Sequence, residues 1–442
     1  MLGKLSESRT AIVHRWCQPP MMRVRDGSGT GRILAVVIAV GLLVRLALLF
    51  GFGTVSNPEL FEYDALAQNL NAGLGFVYPH FGTLYASYYP GVAYIGWTAL
   101  LYAIFPAAGH AAVLVAQSGI SALLAYVVYL IGRRLWDGRA GVIAAGLTLA
   151  HPGLAYYDTH KLHPLSFDTL MMALAVWALL VVRRSGSLNG VLLTGLVLGL
   201  AILQRGSLLI VAPLGGAWLW FAGLRGERWR RAAALGLGVV LALAPWVIRN
   251  YQVHGVPLLT TTNGEHFWIG NAPFSLGSNT LPSGEQVILR VPDAIQGADE
   301  LEQNRLFWRA AMNNIAAEPR AFAVGILRKF MYFWTVAPQT GVRYPPSYST
   351  GYYLFYVPLS VLALTGAWRL ARRQDREDPL WGLALIGIVC LSVSLIHSVL
   401  YFELRHRWLL EPMLAILSAV GALWFSDRAG TVATRANGES DS

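Results

Sequence analysis

The chain has 442 residues and a net charge of +10; 55% of its residues are hydrophobic and only 13% are charged. A soluble domain needs more polar surface than this composition supplies, so a soluble fold is excluded. An excess of Lys and Arg would favour nucleic acid as the partner of a soluble protein, but here most Arg residues lie in short loops between apolar segments. Membrane orientation explains this distribution, and no nucleic-acid partner is expected.

Apolar runs of membrane-spanning length recur along the chain. A helix of about 20 apolar residues crosses about 30 Å of hydrocarbon. The first run lacks a cleavage site, so it is expected to remain as an anchor. We predict ten spanning helices, near residues 33–52, 111–131, 140–155, 164–182, 189–203, 206–223, 231–248, 350–368, 380–400 and 408–425.

The basic residues are distributed unevenly between the two sides of these spans. If the N-terminus is cytoplasmic, the loops on that side carry 21 of the 34 Lys and Arg residues, and the opposite short loops carry four. This bias predicts a multi-pass protein of the inner (plasma) membrane with cytoplasmic N- and C-termini. It requires that the apolar stretch 91–105 does not cross, so we interpret that stretch as an interfacial helix.

The spans divide an all-α polytopic membrane protein into five parts. The long outer segment between the seventh and eighth spans contains two amphipathic helix candidates, near residues 299–318 and 320–334. The parts are a cytoplasmic basic tail (1–32), an N-terminal transmembrane module (33–248) with a candidate catalytic first outer loop (53–106), an extracytoplasmic loop subdomain (249–346), C-terminal transmembrane helices (347–425) and a disordered cytoplasmic tail (426–442).

Carboxylates are concentrated in the first outer loop. Asn57 followed by Pro58 is a helix start signal, and Glu59 and Glu62 would then fall on one face of the helix. Carboxylates in a first turn can simply complement the helix dipole. Two like charges held together at a membrane interface would also raise the pKa of one of them, which prepares a general base. Asp64 lies on another face and is less favoured.

Several weak motifs occur in a specific order over most of residues 33–425. Together they resemble the GT-C glycosyltransferases of the family 39 type, which are related to protein O-mannosyltransferases and the bacterial lipid A aminoarabinose transferase. The resemblance implies a GT-C fold of about 10–11 transmembrane helices, with interfacial helices in the first outer loop and a large extracytoplasmic loop. The motifs are Glu59-x-x-x-Tyr63-x-x-Leu66-Ala67-x-Asn69-Leu70-x-x-Gly73-x-Gly75-Phe76, Tyr89-Pro90-Gly91, Gly199-Leu200-Ala201-Ile202-Leu203-Gln204-Arg205, Ala244-Pro245-Trp246-Val247-Ile248-Arg249-Asn250-Tyr251, Thr262-Asn263-Gly264 with Gly270-Asn271, and Glu403-Leu404-Arg405-His406-Arg407.

The resemblance also implies an activity, which is inverting transfer of a sugar from a polyprenyl-phosphate donor to a hydroxyl or amine of a glycan, lipid or protein acceptor. Family members usually have Asp, interpreted as the catalytic base, at the position of Glu59, and Glu62 is the reserve candidate. They also tend to have an acidic residue where Asp168 stands. A carboxylate four residues into an apolar segment is costly unless it faces a polar cavity or a partner, which favours a functional role for Asp168.

A lipid-linked donor needs cations at the outer headgroup level, because its phosphate lies there. Arg binds phosphate with a planar fork and keeps its charge, although interface arginines can also simply snorkel. The predicted topology places four candidates at this level: Arg205, Arg249, Arg405 and Arg407. The candidates for contact with sugar or acceptor are Tyr63, Tyr89, Asn263, His266, Trp268 and Asn271.

Other features indicate no cofactor. The loop histidines His151, His160 and His163 lack a ligand spacing on a confident helix, so no metal site is predicted, and a divalent cation stays open. Arg45 and Glu411 lie within predicted spans without visible partners, and we interpret them as structural or lipid-facing. The alternative function is a transporter or flippase of a lipid-linked saccharide, which predicts matched broken helices in two halves. A non-catalytic assembly subunit would need no carboxylate in the first loop.

Overall fold

The structure is a computed structural model that describes residues 29–88, 91–185, 187–281, 283–335, 344–373 and 377–438. Most of the predicted basic tail and the candidate Tyr89 lie outside these residues. In the first half of the chain the elements are α1 (Thr30–Gly51), α2 (Glu62–Asn71), β1 (Tyr78–His80), β2 (Thr83–Tyr85), α3 (Val92–Ile104), α4 (Gly109–Leu135), α5 (Gly138–Leu149), α6 (Pro152–His160), α7 (Leu165–Val182), α8 (Leu188–Gln204) and α9 (Val211–Ala222). In the second half they are α10 (Arg228–His254), α11 (Asn263–Asn271), α12 (Glu300–Ala317), α13 (Pro319–Trp334), α14 (Pro346–Ala371), α15 (Glu377–Val399), α16 (Leu404–Trp408) and α17 (Glu411–Gly438).

The predicted all-α membrane fold is confirmed. A helix of the structure overlaps each of the ten predicted spans, and six helices within the described residues are long and apolar enough to cross a membrane. These six are α1, α4, α7, α10, α14 and α15. The stretch predicted to be interfacial is the 13-residue helix α3.

Two helix boundaries differ from the sequence predictions. The first-loop helix begins at Glu62, not near Asn57, because Phe61 keeps an extended backbone with φ −123° and ψ 174°. The last helix continues to Gly438, into the stretch for which disorder was predicted.

Close helix packing in the C-terminal half depends on glycine. A Cβ added at Gly366 of α14 would lie 1.8 Å from the carbonyl oxygen of Leu417 on α17. A Cβ at Gly421 of α17 would lie 2.2 Å from the carbonyl oxygen of Leu362. Small residues at both positions let the two backbones touch, as is common between membrane helices.

This packing predicts different outcomes for two alanine substitutions in α14. Gly366→Ala should destabilise the fold by about 1–3 kcal/mol, because the methyl group has no room. Gly351→Ala is the matched control in the same helix, since a Cβ there meets nothing within 4 Å. Thermal unfolding of the detergent-purified variants measures both effects. Equal melting temperatures for the two variants would contradict the close contact.

The long loops dock on the end of the bundle where α1, α8, α10 and α15 end, which we call the loop end. The backbone N–H of Glu59 donates to the carbonyl of His160 (2.9 Å), and that of Gly91 donates to the carbonyl of Leu203 (2.8 Å). The Glu300 carboxylate accepts the N–H groups of Ala86 (2.6 Å) and Ser87 (2.8 Å). The first and second loops are therefore fixed to each other as well as to the helices.

A small hairpin carries one polar group towards the second loop. Strands β1 and β2 pair antiparallel with Tyr78 opposite Tyr85, and the turn at Phe81 and Gly82 has positive φ angles at both residues (44° and 80°). This is the backbone pattern of a tight two-residue hairpin turn. It leaves His80, at the end of β1, 3.0 Å from the carboxylate of Glu265 on α11.

Candidate active site

A cavity of ≈ 170 Å³, lined by both polar and apolar side chains, opens at the loop end of the bundle. Its walls come from α7, α8, α10, α11, α15 and α16, so six elements far apart in sequence build it. Its polar lining consists of Asp168, Gln204, Arg205, Ser207, Thr260, Thr262, Asn263, His266, His397, Tyr401 and His406. Ile202, Leu203, Trp246 and Leu259 are among the apolar residues beside them.

The predicted residues Asp168 and Arg205 form one buried unit in this cavity. One carboxylate oxygen of Asp168 accepts a hydrogen bond from Gln204 Nε2 (2.7 Å), and the other accepts one from Arg205 Nη1 (3.0 Å). Asp168 sits in the first turn of α7, where the helix dipole favours a negative charge. The pair orients the Arg205 guanidinium at the cavity wall, and the Asp168 side chain is only 1% exposed.

Arg405 is the second cation of the site. It lies in the short helix α16 and forms an ion pair with Glu403, with 2.6 Å between Nη2 and Oε2. Burial raises the pKa of Glu403, and the charges of Arg405 and Arg205 oppose that shift. Burial lowers the pKa of His266, and both arginines lower it further. Arg205 lines the cavity, and Arg405 lies outside its lining but acts through its charge on the cavity residue His266.

Glu62 lies within the range of the Arg405 charge. Burial raises the pKa of Glu62, and the Arg405 charge opposes the shift while the Glu265 charge adds to it. The prediction that Glu59 and Glu62 share one helical face is wrong, because only Glu62 belongs to α2. The raised pKa comes first from burial and then from Glu265, which is held by His80, and not from pairing with Glu59.

Glu59 has a different partner. Its carboxylate contacts Lys161 Nζ through both oxygens, at 2.8 and 2.9 Å. Lys161 is almost fully buried, whereas the side chain of Glu59 is 50% exposed. The rings of Phe61, Tyr156 and Tyr157 lie 5.0–5.4 Å from the ammonium group. Glu59 therefore supplies the counter-charge for a buried ammonium group that is surrounded by aromatic rings.

The three loop histidines point to separate partners. His151 donates from Nε2 to Glu411 (2.7 Å), because its Nδ1 accepts the N–H of Leu154. His160 stacks on Tyr156, with ring centroids 4.7 Å apart. Burial lowers the pKa of His163, and the charges of Arg405, Arg205 and Lys161 lower it further. Within the described residues no group of three His, Cys, Asp or Glu side chains has the arrangement of a metal site.

Two of the four predicted phosphate ligands are engaged elsewhere. Arg249 donates to the carbonyl of Ala86 (2.5 Å) and to Ser87 Oγ (3.1 Å), so it fastens the first loop to α10. Arg407 has no exposed side-chain surface and forms an ion pair with Glu411 at 3.0 Å. Neither arginine lines the cavity, and we assign both to structure rather than to phosphate.

The predicted sugar and acceptor residues also separate into two groups. Asn263 and His266 line the cavity. Trp268 is buried in the second loop against Phe307, with ring centroids 5.6 Å apart. The other two are also packed into the fold: Asn271 donates to the carbonyls of Phe267 (2.7 Å) and Val399 (3.0 Å), and the ring of Tyr63 packs edge-on against Tyr94 and His163.

Four polar residues of this region were missed by the sequence analysis: Lys161, Glu265, His397 and Glu403. Lys161 is one of the few basic residues in the predicted outer loops, which is a usable signal. Glu265 follows the quoted Thr262-Asn263-Gly264 motif, and Glu403 begins another quoted motif. His397 carries no such signal, because a histidine near the end of an apolar helix is usually structural.

Part of the chain matches a known protein family. The family described as dolichyl-phosphate-mannose-protein mannosyltransferase matches residues 85–248. The matched residues include the cavity residues Asp168, Gln204 and Arg205. No curated protein matches the chain.

Solved structures share the fold. The oligosaccharyltransferase of Archaeoglobus fulgidus in its apo form has a TM-score of 0.53 and 15% identity, covering 92% of this chain and 52% of that chain. The AglB structure from the same organism, in complex with an inhibitory peptide and a dolichol-phosphate, has a TM-score of 0.51 and 14% identity, covering 92% of this chain and 52% of that chain. ArnT from Cupriavidus metallidurans bound to undecaprenyl phosphate has a TM-score of 0.51 and 17% identity, covering 93% of this chain and 64% of that chain. The chain thus spans between about half and two thirds of the length of these proteins.

The family match covers the helices that carry the buried Asp168 and Arg205 pair, and the structural likeness covers more than nine tenths of the chain. At identities of 14–17% the structural neighbours establish the fold alone. The chain therefore has the fold of these membrane glycosyltransferase structures, and its residues 85–248 match the dolichyl-phosphate-mannose-protein mannosyltransferase family.

Proposed function

We propose that this protein transfers a sugar from a polyprenyl-phosphate donor to an acceptor on the extracytoplasmic side of the membrane. The observation that carries this proposal is the Arg205 guanidinium in the cavity wall, with the charge of Arg405 acting on the cavity residue His266 and on the carboxylate of Glu62. The AglB structure is in complex with a dolichol-phosphate and the ArnT structure is bound to undecaprenyl phosphate, which supports a lipid phosphate as the leaving group here. The positive-inside bias supports the orientation.

The residues suit the two charge changes of an inverting displacement. As the glycosidic bond breaks, negative charge grows on the departing phosphate, and guanidinium groups stabilise it with fixed hydrogen bonds. The acceptor loses a proton in the same step, and we assign Glu62 as the base that takes it. The raised pKa of Glu62 makes it a stronger base than an exposed glutamate.

A charge-conserving substitution tests the phosphate site. Arg205→Lys and Arg405→Lys keep the charge but lose the planar fork, so we expect the KM for the donor to rise about 10-fold with a smaller change in kcat. Arg249→Lys is the matched control, because Arg249 lies at the same end of the bundle but bonds to Ala86 and Ser87.

The measurement is transfer by protein reconstituted in liposomes with polyprenyl-phosphate glucose, mannose, galactose and arabinose as donors. An unchanged donor KM in both cavity variants would remove the phosphate assignment. A transporter would move the lipid-linked saccharide with its glycosidic bond intact. Release of free polyprenyl phosphate therefore separates the proposed function from that alternative.

A further inference from the structure

Two stacked histidines form part of the cavity wall and have no role in the proposal above. His397 at the end of α15 and His406 in α16 have ring centroids 3.9 Å apart and planes inclined by 24°. Both side chains line the cavity, and the residues are only 5% and 3% exposed. Burial lowers the pKa of His406 well below its usual range, and the charges of His397 and Arg205 lower it further. His406 is therefore neutral at physiological pH.

Hydrogen bonds to the backbone fix which nitrogen of each ring carries the proton. His397 Nδ1 lies 3.2 Å from the carbonyl oxygen of Tyr401, which can only accept, so a neutral His397 donates from Nδ1 and leaves a lone pair on Nε2. His406 Nδ1 accepts the backbone N–H of Glu403 at 3.2 Å, so its proton is on Nε2. The pair therefore offers one hydrogen-bond acceptor, His397 Nε2, and one hydrogen-bond donor, His406 Nε2–H.

The acceptor atom is buried and has no partner among the described residues. His397 Nε2 makes no hydrogen bond there. An unmade hydrogen bond at a buried polar atom costs about 1–3 kcal/mol, so a ligand group that completes this bond is bound more favourably. A phosphate oxygen does not suit this atom, because an ionised phosphate has no proton to donate. A hydroxyl group suits both rings, because it donates one hydrogen bond and accepts another.

We infer that the stacked pair of His397 and His406 recognises one hydroxyl group of the donor sugar. The hydroxyl donates to His397 Nε2 and accepts from His406 Nε2–H. This inference rests on the proposed function, because Arg205 at the same cavity would hold the phosphate to which the sugar is attached. His397 and His406 are then determinants of sugar specificity, and they take no part in bond breaking.

The test compares the best natural donor of the panel with each of its singly deoxygenated forms. The wild-type protein should reject one deoxy sugar by about 10- to 100-fold in kcat/KM. His397→Phe keeps a planar ring but removes the acceptor, so it should transfer the natural sugar as poorly as the deoxy sugar and lose this discrimination. His397→Gln restores an acceptor oxygen at about the same reach and should recover part of it.

A third variant tests the second histidine, and a fourth is a control outside the cavity. His406→Asn keeps an acceptor for the N–H of Glu403 but loses the Nε2 donor, so it should relax discrimination at the same hydroxyl. His110→Phe is the control, since its side chain is 37% exposed and contacts Asp64 outside the cavity. Unchanged discrimination in both His397→Phe and His406→Asn would overturn the inference. Absence of transfer from every donor by the wild-type protein would instead refute the proposed function.

Discussion

Replacing Glu62 by Gln is expected to reduce sugar transfer by about 10²–10⁴-fold, which is the contribution of a general base. The substitution keeps the size and hydrogen-bonding shape of the side chain but removes its ability to take a proton. The donor KM should change little, because Arg205 and Arg405 remain in place. Transfer by reconstituted protein, with kcat and KM measured separately, checks this expectation.

The same assignment predicts the pH dependence of the wild-type protein. Glu62 acts only when deprotonated, so activity is lost as the pH falls through its pKa. Because burial raises this pKa, the loss should occur at a higher pH than for an exposed glutamate. The pH dependence of kcat/KM measures this loss. If kcat/KM does not fall until the pH reaches the pKa of an ordinary glutamate, the assignment of Glu62 as the base is contradicted.

Glu59→Gln is the informative comparison, since the resemblance gives Glu59 the catalytic position and the structure gives it Lys161 as partner. We expect a smaller loss of activity in this variant, accompanied by lower thermal stability, because the buried ammonium loses its counter-charge. If Glu59→Gln abolishes transfer while Glu62→Gln retains it, the two carboxylates have exchanged roles. Expression and melting temperature must be reported for both variants.

The membrane helices were predictable because each is set by local composition. Each of the ten apolar runs overlaps a helix, and residues 91–105, which the charge bias excludes from the spans, form the short helix Val92–Ile104. The amphipathic patterns near 299–318 and 320–334 likewise correspond to helices Glu300–Ala317 and Pro319–Trp334. Hydrophobic length and periodicity act over one or two turns, so they can be recognised without tertiary contacts.

The site was only partly predictable, because its contacts join residues far apart in the chain. Asp168 and Arg205 were both named as candidates, but their direct pairing depends on how α7 packs beside α8. Arg45 has a partner that no local pattern reveals, since its guanidinium reaches Asp158 at 2.9 Å. The role of Glu265 likewise depends on the hairpin that carries His80. The predicted topology placed Asp168 and Arg205 at one level of the membrane but could not predict that their side chains meet.

Replacing Arg407 by Met is expected to destabilise the protein by about 3–5 kcal/mol, because it leaves the buried Glu411 without its cation. Arg407 Nε lies 3.0 Å from Glu411, and Nη1 donates to the carbonyls of Phe333 (3.0 Å) and Thr335 (2.7 Å). These bonds tie α16 and α17 to the end of α13. Thermal or denaturant unfolding of the purified variant measures the loss.

A double substitution separates this structural role from the phosphate role first predicted for Arg407. In Arg407→Met with Glu411→Gln both charges are gone, so the double variant should be less destabilised than the sum of the single variants. If Arg407 instead bound the donor phosphate, the single variant would unfold normally and show a raised donor KM. Its side chain has no exposed surface, so a lipid phosphate could reach it only after α16 moved away from α13, which would break the carbonyl contacts that hold the guanidinium.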